Sequence, residues 1–255
     1  MSRFENLEFG EENEESHAQP RVRDEAFFLN SAQSAFEAGK FADALRMYAK
    51  VLEFNPQSAQ AWTGQVRMLI ELGEFDEARV WADKALAFFP EEAELLAAKG
   101  VALARLGDLN GAISYSDAAV ESRVNTPYIW LARGDVLRAR KEKRADFCFQ
   151  KALDLAANNW FVLWLASRIE GFYHRFARSL KLAQEALALD AARAVLWLQA
   201  AQCQLALGLT TQANHSLEQA RELDPDCNTG ELNSRASEST FLDKVAGRWR
   251  QWFQK

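Results

Sequence analysis

The chain has 255 residues, of which 49% are hydrophobic, with a formal net charge of −6 and a pI near 5.3. That is enough apolar material for a sizeable core in one domain or two, and the acidic balance speaks against a general affinity for nucleic acid. Cys148, Cys203 and Cys227 are odd in number and far apart, so they read as reduced thiols and exclude a disulfide framework.

The first sixteen residues, MSRFENLEFGEENEES, are acidic and lack an apolar run, which argues against a secretory signal or a transit peptide. No stretch approaches the roughly 20 apolar residues that span a bilayer, and the expectation is a cytoplasmic protein. Residues 1–24 as a whole are polar, and their composition predicts a disordered acidic tail.

From residue 25 the chain repeats itself. Gly39, Gly73 and Gly107 lie 34 residues apart, as do Ala44, Ala78 and Ala112, and as do Pro56 and Pro90. Trp62 and Trp130 are two periods apart. The register then slips once. Gly107 to Gly208, Ala112 to Ala213 and Trp130 to Trp197 each fall one residue short, whereas Ala152, Ala186 and Ala220 resume the spacing of 34. One deletion between Trp130 and Ala145, in the turn near Lys141, accounts for every series. A chain of this kind is built from stacked supersecondary units.

Each unit reads as two helices. In the second, Ala61, Trp62, Val66, Met68, Leu69 and Leu72 recur at helical spacing, and Gly73 suits a left-handed C-cap. Phe75, Ala78, Trp81, Ala82, Ala85 and Leu86 form the next apolar stripe, which Pro90 ends. The small residues Ala44, Ala78, Ala112 and Ala213 let the two helices approach. Gly100 and Gly134 fall inside first helices, where glycine costs roughly 1 kcal/mol against alanine; a close backbone neighbour explains such a cost. Trp62, Trp130 and Trp197 recur in register and are expected in the core.

Six units are placed at 25–58, 59–92, 93–126, 127–159, 160–193 and 194–227. Residues 228–238 read as a linker. Residues 239–255 read as one more amphipathic helix. There Thr240 and Asp243 form a capping box, and Phe241, Leu242, Val245, Trp249, Trp252 and Phe253 share one face, flanked by Lys244, Arg248 and Arg250. The expected fold is all-α, a solenoid of six helix-turn-helix units with a C-terminal amphipathic helix.

This pattern resembles the tetratricopeptide repeat (TPR) family. Trp62, Gly73, Ala78, Ala85 and Pro90 match that family's signature, as do Gly39, Ala44, Tyr48 and Pro56, and Gly100, Gly107, Ala112 and Ala119. Trp130, Gly134, Ala145, Phe149 and Ala152 follow, and Trp197, Gly208, Ala213, Ala220 and Pro225 close the series. The unit at 160–193 departs most, with Ser179 for the small alanine and Ala191 for proline. The resemblance covers about four-fifths of the chain. It implies a right-handed superhelix whose concave face is lined by the first helix of each unit. It also implies a non-catalytic scaffold, adaptor or co-chaperone that holds a protein or peptide segment there. One subset of the family clamps chaperone C-termini with Lys, Asn and Arg. By register those places hold Leu29, Gln33, Gly64, Glu94 and Ala98, so that clamp is missing from the first three units.

No catalytic constellation stands out. Gly39-Lys40 lacks the rest of a phosphate loop, His17, His174 and His215 are isolated, and no cysteine pair has zinc-ligand spacing. No enzymatic activity, metal or cofactor is expected. The repeat register does place Arg67, Arg105, Arg138 and Arg168, with Tyr128, Leu131, Trp164 and Phe172, on or near the concave face. Arginine among aromatics suits a peptide segment with acidic and apolar residues. The plainer reading is solvated arginines and aromatics packed between units. Two further features stand apart. The aromatic run 158–176, NNWFVLWLASRIEGFYHRF, is either an irregular unit filling extra space or a hydrophobic anchor pocket. The basic run Arg138–Arg144, RARKEKR, is either a solvated turn or a contact for phosphate or an acidic protein. Residues 239–255 cover the last hairpin as a cap, fold back into the groove, meet a second copy, or dock on a membrane surface or a larger complex. The docking readings make a peripheral membrane or assembly factor the alternative function.

Overall fold

A computed structural model describes residues 24–157 and 159–227. The tail 1–24, the linker 228–238 and the amphipathic helix 239–255 fall on residues outside that range, except for Asp24. Its carboxylate accepts a hydrogen bond from the Phe27 N–H at 2.9 Å and so caps the first helix.

The described residues form twelve helices and no strand, paired as six hairpins. The first helix and the second helix of each are α1 (Glu25–Glu37) and α2 (Phe41–Phe54), α3 (Ala59–Leu72) and α4 (Phe75–Phe88), then α5 (Ala93–Leu106) and α6 (Leu109–Glu121). They continue as α7 (Pro127–Ala139) and α8 (Ala145–Ala156), α9 (Trp160–Phe172) and α10 (Phe176–Leu189), and α11 (Ala194–Ala206) and α12 (Thr210–Leu223). Each helix packs on its neighbours in the chain, as in a helical-repeat solenoid. No helix among the described residues is long and apolar enough to cross a membrane.

All six hairpins turn by the same device. A residue at positive φ follows the first helix: Gly39, Gly73, Gly107, Lys141, His174 and Gly208. Its N–H donates to the carbonyl three residues back and the next N–H to the carbonyl five back, as in Gly73 to Ile70 and Glu74 to Leu69. The last carbonyls of the first helix are thereby satisfied while the chain reverses. The turn residues keep the spacing of 34 as far as Lys141 and then drop to 33 before His174. The missing residue therefore lies just after Lys141. Its effect is local: Ala145 opens α8, whereas the equivalent Ala78 and Ala112 each stand three residues inside their helices.

The small residues do pack at the crossings. Ala44, Ala78, Ala112, Ala145 and Ala213 are fully buried. Ser179 is buried in the same place and its hydroxyl donates to the Ser167 carbonyl at 2.7 Å, so the polar atom is not stranded. The two helical glycines differ. A Cβ on Gly100 would sit 3.1 Å from the Ala112 carbonyl oxygen, a close backbone approach, whereas on Gly134 it would meet the Phe149 ring at 2.7 Å.

The repeating tryptophans sit at the margin of the core, where Trp62 and Trp130 pack against buried clusters. Trp62, Trp130 and Trp197 are half-buried, and each indole N–H reaches back to the loop that precedes its helix. The acceptors are the Pro56 carbonyl at 2.9 Å, the Asn125 side-chain oxygen at 2.6 Å and the Ala191 carbonyl at 2.8 Å. An indole needs both apolar cover and an acceptor, and this position at the edge of the hairpin supplies both. The tryptophans pin the loops between units.

The array also closes on itself. The Phe36 ring of the first hairpin meets Phe161 edge-on at 4.9 Å, Phe41 stacks on Trp164 at 6.1 Å, and Lys40 pairs with Asp224 at 3.3 Å. Phe36, Trp164 and Val195 belong to one buried cluster although they come from the first, fifth and sixth hairpins.

Candidate interaction site on the concave face

The first helices of four successive hairpins, α3, α5, α7 and α9, line one cavity of about 210 Å³ on the inner face. Six of the eight groove residues read from the register meet on its wall: Arg67, Arg105, Tyr128, Leu131, Arg168 and Phe172. Trp164 lies apart, in the seam between the first and fifth hairpins. Arg138 also lies apart, in the interior.

The four arginines are not equivalent. Arg105 forms a two-pronged ion pair with Asp135, at 3.1 and 2.6 Å, and both side chains are nearly buried, at 7% and 3% exposure. Its guanidinium also lies over the Phe172 ring at 3.4 Å. Burial alone would weaken the Arg105 charge, but the Asp135 carboxylate outweighs it and holds the guanidinium above its ordinary pKa. The Tyr173 hydroxyl donates to the same carboxylate at 2.6 Å, and burial together with the Asp135 charge raises its pKa. Arg168 is paired with Glu71 at 2.6 Å and lies 4.5 Å from the Phe41 ring. Arg138 reaches Glu170 at 2.7 Å and Asp146 at 2.6 Å. Arg105 and Arg138 thus spend their charge inside the fold, where the register reading takes them as arms for a ligand.

Arg67 is different. Its guanidinium sits 3.8 Å over the Tyr128 ring and 5.1 Å from Phe36, and it makes no hydrogen bond or ion pair within the described residues. Burial raises the Tyr128 phenol, so that ring faces Arg67 as a neutral phenol. The cavity wall therefore holds three arginines against two carboxylates, Glu71 and Asp135, and the unmatched charge is Arg67.

The carboxylates escape a reading that looks only for cationic and aromatic positions. The register itself contains the signal. Arg67, Val101, Asp135 and Arg168 hold one repeat position, and Glu71, Arg105, Ala139 and Phe172 hold the position one helical turn later. Opposite charges on these two rows meet between hairpins, as Arg105 and Asp135 do.

The other two features are accounted for within the fold in different ways. In the aromatic run, Phe161 and Trp164 pack against Phe36 and Phe41, which is the space-filling arrangement. In the basic run, Arg138 turns into the interior, Arg140 and Arg144 share Glu142, at 2.7 and 2.9 Å, and Lys141 and Lys143 are exposed at the turn. Among the described residues no group of three or more His, Cys, Asp or Glu side chains could hold a metal ion.

Residues 35–100 match the family model described as tetratricopeptide repeat. No curated protein sequence matches the chain. Among solved structures, the chain is similar to TTC0263, a thermophilic TPR protein of Thermus thermophilus, with TM-score 0.55 and 21% identity, over 71% of this chain and 99% of that one. It is also similar to a chain of the APC/C hetero-tetramer Cut9–Hcn1, with TM-score 0.51 and 18% identity, over 84% of this chain. It spans only 43% of the length of that Cut9–Hcn1 chain. At such identities the likeness concerns the fold. The repeat matched over residues 35–100, the six hairpins turning by one device and these structural likenesses together give the described residues the fold of a tetratricopeptide repeat array.

Proposed function

We propose that the chain is a non-catalytic interaction scaffold, an adaptor or co-chaperone, that holds an acidic and apolar protein segment at its concave face. The observation that carries this reading is Arg67. Its guanidinium is held between two rings on a cavity wall and lacks the carboxylate that Arg105 and Arg168 each possess. A planar cation held in this way is well suited to grip a carboxylate, and Leu131, Leu165 and Phe172 give apolar cover beside it. A volume near 210 Å³ is below the usual range of about 300–1,000 Å³ for a pocket that takes a whole ligand. It suits one anchoring acidic side chain of a longer segment. The TPR fold supports the reading, and the similar Cut9–Hcn1 chain is part of a protein assembly.

The test is selection from a library of displayed random peptides, followed by titration of the enriched sequences against the full chain. The reading expects enrichment of Asp or Glu next to Leu, Ile or Phe, and a loss of at least tenfold in affinity for Arg67→Ala. Enrichment of basic peptides, or an Arg67→Ala protein that binds as well as the wild type, overturns it.

A further inference from the structure

A second and larger cavity, about 700 Å³, opens between the α1–α2 turn, α9 and α11, where the first and the last hairpins meet. We propose that it is the docking place of this chain's own residues 239–255. Three observations choose that occupant.

The first is where the chain leads. Cys227, the last described residue, is itself on the cavity wall, so the following residues start at its mouth. Residues 228–238 span a root-mean-square distance of about 20 Å as a flexible coil. A tether of that length keeps the segment at an effective concentration in the millimolar range, so weak contacts are enough to hold it.

The second is complementarity. The wall is apolar where Val195 and Leu198 line it. Leu198 holds the register position of Leu131 and Trp164; those two are buried, at 1% and 2% exposure, whereas Leu198 is half-buried and open to the cavity. The charged residues of the wall are Asp43, Glu71, Asp224 and Asp226 against Lys40 and Arg168; Lys40 pairs with Asp224, Arg168 with Glu71 and Asp43 with Arg46, so the carboxylate left over is that of Asp226. Residues 239–255 carry the inverse: Lys244, Arg248, Arg250 and Lys255 against Asp243, with an apolar stripe of Phe, Leu, Val and Trp. An apolar wall with a leftover carboxylate at Asp226 fits that segment in both respects.

The third is that the end of the array does not ask for an apolar cap. The second hairpin presents Leu69, Trp81 and Phe89 to the cluster it shares with α5. At the same three repeat positions the last hairpin carries Gln204, Ser216 and Asp224. The Ser216 hydroxyl donates to the Gln204 side-chain oxygen at 2.8 Å, and Asp224 pairs with Lys40. At these three positions the terminal hairpin is polar and satisfied, as a terminal repeat requires, so the apolar stripe of 239–255 gains more in the cavity.

Hydrogen exchange of the full chain, read by mass spectrometry, tests this together with the alkylation rate of Cys227. In the wild type, residues 239–255 exchange at least tenfold more slowly than a free peptide of that sequence, and the protection does not change on dilution. Leu198→Asp and Asp226→Lys each abolish it. Trp249→Asp with Trp252→Asp, which alters the segment and leaves every described residue unchanged in sequence, abolishes it too and speeds maleimide labelling of Cys227. Four results overturn the proposal: exchange of 239–255 at the free-peptide rate, protection that fades on dilution and so comes from a second copy, protection that appears only with lipid vesicles, and protection indifferent to all three variants.

Discussion

Gly39 rests against Val195, 156 positions further along the chain: a Cβ on Gly39 would fall 2.9 Å from a Val195 methyl carbon. With the Lys40–Asp224 pair, this contact joins the first hairpin to the sixth. Gly73, Gly107 and Gly208 occupy the same turn position with similar φ, and a Cβ on any of them would meet nothing within 4 Å. The four glycines separate two effects. Replacing Gly73, Gly107 or Gly208 by alanine carries only the left-handed backbone penalty, about 1–2 kcal/mol. Gly39→Ala adds overpacking of the seam, typically about 1–3 kcal/mol more. Urea denaturation of the four variants measures the difference. Equal losses would mean that the first and last hairpins do not pack together in solution.

The fold was legible because it is periodic. Six turns and five fully buried alanines recur at one spacing, and the lone deletion shows as a single slip shared by several series. The inner face was legible in part. The register brings Arg67, Arg105, Tyr128, Leu131, Arg168 and Phe172 to one wall because these positions follow from helix geometry alone. It does not say which arginine is free, since that depends on partners 30 or 97 residues away, Asp135 for Arg105 and Glu71 for Arg168. Nor does a local pattern reveal that Phe36 and Phe41 reach Trp164; this contact comes from the curvature accumulated over five hairpins. The tryptophans pack on the core only with one side, for a simpler reason. Periodicity marks a residue as structural, but the indole N–H needs an acceptor, and the nearest one is at the hairpin's edge.

Two turns use residues unsuited to them. Lys141 and His174 take φ of 58° where the other four hairpins have glycine. The left-handed conformation costs a residue with a Cβ about 1–2 kcal/mol, and glycine returns part of that through the greater freedom of its unfolded chain. Lys141 is exposed, so Lys141→Gly should raise stability by about 0.5–1 kcal/mol, seen as a higher urea midpoint. His174→Gly should gain less, because the imidazole also meets the Phe176 ring edge-on at 5.6 Å. A lower midpoint for Lys141→Gly would show that this turn does not adopt the left-handed conformation.

The two ion pairs on the inner wall differ in depth, and their deletion should differ with it. Asp135→Ala leaves Arg105 charged and nearly buried with no carboxylate, and it also removes the acceptor of the Tyr173 hydroxyl. Breaking a buried pair in this way costs about 3–5 kcal/mol. Glu71→Ala breaks a pair whose side chains are 25% and 20% exposed, where water takes up much of the loss, and about 1 kcal/mol is expected. Thermal melts of both variants check the ranking. A Glu71→Ala protein less stable than Asp135→Ala would reverse the assignment of which pair is structural.

Arg67 should behave unlike either. It has no ion pair to break, so Arg67→Ala loses only its contact with the Tyr128 and Phe36 rings, about 0.5–1 kcal/mol of stability. Its proposed partner is external, and the loss should appear in binding. For a peptide that carries an acidic anchor, Arg67→Ala is expected to lower affinity by tenfold or more. Arg67→Lys should recover only part of it, because an ammonium keeps the charge but neither stacks flat on Tyr128 nor grips a carboxylate with two parallel donors. Replacing the acidic anchor of the peptide by its amide should cost the wild type about as much as the arginine truncation costs, and should then make no further difference to Arg67→Ala. That non-additivity separates a direct contact from a general field effect, which added salt screens over about 8–10 Å near physiological strength. If the two changes instead add in full, the peptide's acidic group lies elsewhere and Arg67 does not touch it.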